Sequence, residues 1–463
     1  MLQLSRLELL RLLRDWRMAI ALIAFAGLFV TSGVAALLDV RQAAAIKLAV
    51  ARAERARWLG QGIKDPHSAA HYSIYAFKPS MPLEAIDRGI VPFVGEVVWL
   101  EAHLQNDLLS RPQQNAQAFE RLGLIDPAGL LTRLGPLVLF LLAFAAAANE
   151  REQSTLGLAL ASSVSRSAYV GAKVVSLTST GIAVLVVPIL IAGITGSALA
   201  SQHATNEVAR LASWGLAASA YIGIMAAVGV SICVLARSAQ IAFAGLLVAW
   251  VLVLAALPVA SAFADRTRPL PSFQQLKLIL ADQAPAYWTP ETGAEQVATV
   301  LARYGARSDK DLEINLRGAQ LDVAERHAHE VFDRQIGGFY DRVVAQDARY
   351  ASLAWLSPTV AFDVVSAALT GTDFSHHRDF IDYAERYRRE LVNRMNADLI
   401  PHPATDGEHT NDISLWSQVP PFAYHTLPIA AASRSSGSAL LALASWAVAA
   451  VALVGWSARR LRP

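Results

Sequence analysis

The sequence predicts an all-α membrane protein, with six transmembrane helices carrying a mainly helical extracytoplasmic domain built from two long loops. Three observations predict it. Of 463 residues, 54% are hydrophobic and 17% charged, too apolar a balance for an ordinary soluble chain. Six largely uncharged runs reach the ~20 residues that cross a ~30 Å hydrocarbon layer. Outside those runs, Val, Ile and Thr rarely alternate with polar residues in the period of two that marks strands. The near balance of 40 Lys+Arg with 38 Asp+Glu supplies no basic field for nucleic acid. A single cysteine, Cys233, excludes an intramolecular disulfide and a cysteine-based zinc cluster, so packing must hold any exported domain.

In chain order, residues 1–17 place Leu2, Leu9, Leu12, Leu13 and Trp16 on one side of a helix and Arg6 and Arg14 on the other. That pattern suits a cytoplasmic interfacial helix, or the plain cytoplasmic start of the first span. The first span, 18–38, is longer than the ~7–15 apolar residues of a signal peptide and reads as an uncleaved anchor. Helical composition continues to Gly60, so the helix runs outward for ~60 Å at ~1.5 Å per residue. Loop 1 occupies 39–128, and Asp65-Pro66 within it reads as an N-cap and first helical position. The second span, 129–148, carries Arg133 near one end, where the side chain reaches the interface. A cytoplasmic segment, 149–173, separates it from spans at 174–200, 211–236 and 238–264. Loop 2, 265–434, holds helical patterns at 311–336 and 339–351, interrupted at Gly337-Gly338, and another opened by Ser357-Pro358. Residues 401–428 read as a loop returning to the last span, 435–458, and a cytoplasmic tail, 459–463.

Orientation follows the positive-inside bias. The segments placed inside hold 11 Lys/Arg against 4 Asp/Glu, whereas loop 2 holds 17 against 23.

Two motifs resemble a known family. Residues 149–175 carry Glu150, Arg151 and Glu152, then Thr155-Leu156, then Val164-Ser165-Arg166, and finally Gly171 with Lys173. This resembles the cytoplasmic coupling segment of ABC-2 type transporter permeases, although Ser154 stands where the family usually has glycine. Asp65 to Tyr72, Ala76 to Pro79, Val98 to His103, and Gly371-Thr372-Asp373 with His377 and Phe380 resemble a permease subgroup with a helical extracytoplasmic domain of unknown function. The resemblance implies an ABC-2 (type V exporter-like) fold and a membrane-spanning subunit of an exporter in a bacterial inner membrane, its large loops periplasmic. It implies that Glu150, Arg151, Glu152, Thr155, Leu156, Ser165 and Arg166 couple to a separate ATPase dimer, which holds the ATP and Mg, and that a second permease, identical or related, completes the complex. No G-x-x-x-x-G-K-[ST] occurs in the chain, so it lacks a P-loop of its own and is expected not to be an enzyme. An alternative is a mechanotransmission subunit that works a periplasmic partner while nothing crosses.

Polar residues offer further candidates. Ser176, Thr178, Ser179 and Thr180 either line a substrate path or bond to backbone and neighbouring helices. No acidic residue falls inside a predicted span, which disfavours a proton relay. All 11 histidines fall outside the predicted cytoplasmic face. His67 and His71, four apart on one helix, offer a metal pair that His103, His376 or His377 would complete for Zn²⁺ or Cu²⁺; the plainer reading is hydrogen bonding within a helical domain. A membrane-anchored metallohydrolase would need such a cluster, but no HExxH motif is present. Asp373 reads as a helix cap rather than a catalytic carboxylate.

Overall fold

Asp15 leaves the helical conformation after α1 (Leu2–Arg14) and caps α2 (Trp16–Leu59), its carboxylate accepting a hydrogen bond from the Arg17 amide at 3.0 Å. A computed structural model of the chain describes residues 2–81, 83–109, 111, 126–148, 150, 157, 164–186, 189–190, 204–253, 269–284, 290–403 and 408–461. In it, α2 is one helix of 44 residues. At ~1.5 Å per residue that is about 66 Å, twice the hydrocarbon thickness. The expected outward extension is therefore a continuation of the same rod.

Asp65 caps α3 (Pro66–Tyr72), with Pro66 at its first position. A three-stranded antiparallel sheet follows, in the order β1 (Ile74–Phe77), β2 (Val97–Glu101) and β3 (Leu104–Gln105). This sheet departs from the wholly helical expectation for loop 1. Its sequence signal is the run Val97-Val98-Trp99-Leu100, rich in β-branched and aromatic residues after Gly95.

Asp126 caps α4 (Pro127–Arg133), which bends by 44° into α5 (Gly135–Ala143), continued by a π-turn over Phe144–Ala148. Pro136 accounts for the bend, since its ring removes a donor and crowds the carbonyl four residues back. Then come α6 (Arg166–Val184), α7 (Ala204–Leu235) and α8 (Ala239–Val251). The last long helix is α17 (Gly437–Arg460). Among the described residues, α2, α7 and α17 are long and apolar enough to cross a membrane, and the α4–α5 pair makes a fourth if counted as one span. The predicted spans 174–200 and 238–264 lie partly outside the described residues.

Loop 2 supplies α9 (Phe273–Gln283), α10 (Pro290–Tyr304), α11 (Leu316–Phe332), α12 (Gly338–Ser352), α13 (Pro358–Thr370), α14 (Phe374–Leu399), α15 (Ile413–Trp416) and α16 (Ile429–Ser435). Between α11 and α12 the chain does not break at Gly337-Gly338; a π-turn over Asp333–Gly337 carries the helix through. The left-handed Gly371 (φ 80°) ends α13, and Asp373 caps α14 by accepting the His376 amide at 3.0 Å, as expected.

Two cores form. One joins the apolar helices through Phe25, Phe29, Phe140, Trp214, Tyr221 and Leu443. Contrary to its assignment to the outer loop, α13 enters this core: Phe362 stacks on Tyr221 with ring centroids 5.0 Å apart. The other core unites both loops, with Trp58 and Leu100 from the first against Phe332, Phe380 and Trp416 from the second. Phe339 packs against it, and Val331 is buried. Trp355 is 50% exposed. Trp416 is fully buried in the second core; its carbonyl accepts from Trp58 Nε1 at 2.9 Å and its own Nε1 donates to the Gly62 carbonyl at 3.0 Å.

Candidate functional site

Three groups of functional side chains stand apart in the fold. The first lies on the side of the molecule that the charge bias places in the cytoplasm. Glu150 is buried and pairs with Arg11 of α1 and the Tyr169 hydroxyl of α6. Lys173, fully buried on α6, reaches Glu150 Oε2 at 3.1 Å, Glu8 Oε1 at 3.0 Å and the Ala146 carbonyl at 2.6 Å. Four charged side chains thereby neutralise one another between α1, the end of α5 and α6, the condition for burying charge at tolerable cost. Ser165 caps α6 by accepting the Ala168 amide, and Arg166 is exposed. Arg151, Glu152, Thr155 and Leu156 lie outside the described residues. Farther along α6, Thr178, Ser179 and Thr180 donate to the carbonyls of Val174, Val175 and Ser176, while the buried Ser176 hydroxyl has no partner among the described residues. Three of the four path candidates thus spend their protons on their own helix.

The second group joins the apolar helices to the domain formed by the two loops. Trp214 Nε1 of α7 donates to Ser366 Oγ of α13 at 2.8 Å, and Ser366 in turn donates to the Asp87 carboxylate of loop 1. Arg210, at the outer end of α7, donates to the carbonyls of Ala368, Leu369 and Leu427. Asp87, Asp126, Arg133 and Asp363 border a cavity of about 600 Å³ at this junction. Burial, reinforced by neighbouring Asp126, pushes the Asp87 carboxyl up to about 7.

The third group is the histidine cluster. His67 and His71 project from one face of α3, and His103 occupies the two-residue turn between β2 and β3 in the left-handed region, φ 66°. His67 Nε2 lies 3.1 Å from His71 Nε2 and 3.3 Å from His103 Nε2. Behind the rings, His67 Nδ1 meets Asn396 Oδ1 at 2.9 Å and His103 Nδ1 meets Glu325 Oε1 at 2.6 Å. Burial and the neighbouring imidazoles lower His67 to about 4; His71 is lowered by the same causes. For Glu325, burial opposes ionisation, but hydrogen bonds from His103 and His329 and the Arg388 charge hold the carboxyl well below the usual range.

His67, His71 and His103 are thus brought together, and His377 is not. It is buried on α14 beside Phe374, and burial together with the Lys78 ammonium lowers it to about 3. His376 is bound to Asp373 through Nδ1 at 2.5 Å and is likewise outside the cluster. Sequence reasoning missed Glu325 and Asn396, which lie 222 and 329 residues from their histidine partners. The readable signal was Leu321, Glu325 and His329 at steps of four, which puts a carboxylate and an imidazole on the same face as a core leucine.

Residues 287–425 match a domain of unknown function, DUF3526. The matched region holds Glu325, Asn396 and the α13–α14 turn, while the three clustered histidines precede it. No curated protein and no solved structure matches the chain.

Proposed function

We propose that this chain is the transmembrane subunit of an ABC-2 type exporter in a bacterial inner membrane, six-spanning, with its large loops periplasmic. A separate ATPase dimer drives it, and a second permease, identical or related, completes the complex. The observation that carries the reading is the buried Glu150 network. It fastens the beginning of the coupling segment to α1 on one side and α6 on the other, so force applied to residues 149–173 reaches two membrane-associated helices at once. The resemblance of residues 149–175 to permease coupling segments agrees with this, and so does the absence of a P-loop, since the work must then come from a partner.

Glu150 now separates from its neighbours in role. Its carboxylate braces the lever from within, whereas Arg151 and Glu152 are the proposed ATPase contacts. Reversing both neighbours (Arg151→Glu with Glu152→Arg) is expected to leave the protein folded in the membrane and to abolish ATPase association or its stimulation. Glu150→Gln, by contrast, is expected to lower thermal stability. ATPase binding and coupled hydrolysis unchanged by the double reversal would reject the assignment.

A second reading, mechanotransmission without transport, is favoured by the continuous α2 rod and by the clasp of Arg210 and Ser366, which link the membrane helices to the outer domain. Movement of an expelled compound in proteoliposomes supports export; ATP-dependent rearrangement of the outer domain with nothing crossing supports mechanotransmission.

A further inference from the structure

The three clustered histidines turn the same ring nitrogen, Nε2, toward one another. His67 directs Nδ1 at Asn396 Oδ1 and His103 directs Nδ1 at the Glu325 carboxylate. With the proton on Nδ1, where each of these acceptors would hold it, a neutral imidazole presents Nε2 to a cation. The Nε2 atoms of His67 and His103 lie 3.3 Å apart. His71 Nε2 adds a third nitrogen, 3.1 Å from that of His67. Nitrogens bound at ~2.0–2.1 Å to one tetrahedral ion lie about 3.3 Å from each other; the two separations from His67 match that spacing, and all three atoms lie within 4.8 Å of one another.

We propose that the Nε2 atoms of His67, His71 and His103 bind a divalent first-row transition cation of the Zn²⁺ class on the outer domain. Three imidazoles without thiolate or direct carboxylate select borderline cations over Mg²⁺ and Ca²⁺. Glu325 and Asn396 fix the tautomer and orientation of two ligands, the usual work of groups behind a metal-bound histidine. Glu325 also accepts the His103 backbone amide at 3.1 Å, holding that residue in its strained left-handed turn. His71 and His103 border a cleft of about 660 Å³ that also contains Glu101, Glu295 and His327. The cleft leaves a fourth coordination position for water or an incoming ligand, unlike the closed shell of a structural zinc site. All three ligands come from loop 1 and both supporting groups from loop 2, so a bound ion staples the two loops together.

A second cluster, Asp398, His402 and His409, is an internal control. There His409 Nε2 donates to Asp398 Oδ2 at 2.7 Å, His402 Nδ1 donates to the Asp398 backbone carbonyl at 2.7 Å, and the two rings stack in parallel 3.7 Å apart. The metal proposal stands on the geometry of the outer domain alone, whatever drives the membrane helices.

The test uses the full-length protein in detergent, stripped with a chelator and titrated with Zn²⁺, with bound metal measured after desalting. Co²⁺ absorption gives an independent readout of tetrahedral coordination. The expected result is one ion per chain, not displaced by millimolar Mg²⁺. His71 is exposed, so His71→Ala removes a ligand without opening the core and is expected to weaken binding at least ~10-fold; Glu325→Gln is expected to weaken it ~10–100-fold. His409→Ala should change nothing. Circular dichroism and melting confirm that each variant is folded. Folded wild-type protein that takes up no Zn²⁺, binding that survives His71→Ala undiminished, or binding abolished by His409→Ala would each overturn the proposal.

Discussion

His377 shows what burial does to a single group. Its Nδ1 has no hydrogen-bond partner among the described residues, and burial with Lys78 nearby lowers it to about 3 from an ordinary value near 6.5. Between these values the unfolded chain binds a proton that the folded chain refuses, so stability falls as pH drops below 6.5 and the penalty is complete near 3. The expected slope from this residue is up to about 1.4 kcal/mol per pH unit. His377→Leu should flatten the acid limb of a thermal-melting profile between pH 6 and 4; an unchanged limb would remove His377 as its cause. Residue-level reading from sequence succeeded where the chemistry is local. Asp65, Asp373 and Ser357 all cap helices as their positions predict, because a cap needs only its own next three residues. It did not reach the burial of His377 or the ion pairs of Glu150 with Arg11 and Lys173, which depend on elements distant in sequence. The His67–His71 pair was legible from its spacing, and His103 was named beside it; the carboxylate and amide that orient them were not.

Elements carry the link between membrane and outer domain. The sequence assigns α13 to the external loop because it lies between the predicted spans 238–264 and 435–458, yet it packs on α7. Hydrophobic pattern alone cannot say which of two cores an amphipathic helix will join. Arg210 makes that choice specific by capping the end of α13, donating to the carbonyls of Leu369 and of Ala368, the latter shared with the Gly371 amide. Arg210→Met keeps much of the bulk and removes those donors, so it is expected to destabilise the protein by about 3 kcal/mol. A melting temperature in detergent equal to that of wild type would show that the clasp contributes nothing. Gly89 marks a second close approach: it is left-handed, φ 46°, and a Cβ there would lie 2.6 Å from Thr372. The small sheet escaped notice because its strands have two to five residues, shorter than a reliable period-two signal.

At the scale of the whole molecule, the two loops form one hydrophobic core although nearly the entire membrane portion separates them in sequence. Each buried large side chain contributes about 1.5–3 kcal/mol, and Trp58, Leu100, Phe332, Phe380 and Trp416 come from both loops. Neither loop alone supplies all the surfaces of that core. With α2 running unbroken from the first core to the second and α7 clasped by loop 2, the membrane helices and the outer domain are mechanically joined. Composition and apolar runs made a helical membrane protein legible; the contacts that join its parts were not, because each spans more than a hundred residues of chain. The central claim is that a separate ATPase works this assembly from the cytoplasmic side. Purification of the full-length chain from its native membranes, with quantitative identification of bound subunits and assay of ATP hydrolysis, tests it most directly. The account predicts a P-loop ATPase in about equal amount with the chain, lost when Arg151 and Glu152 are reversed. An intact chain that purifies from those membranes with no ATP-hydrolysing partner would contradict it.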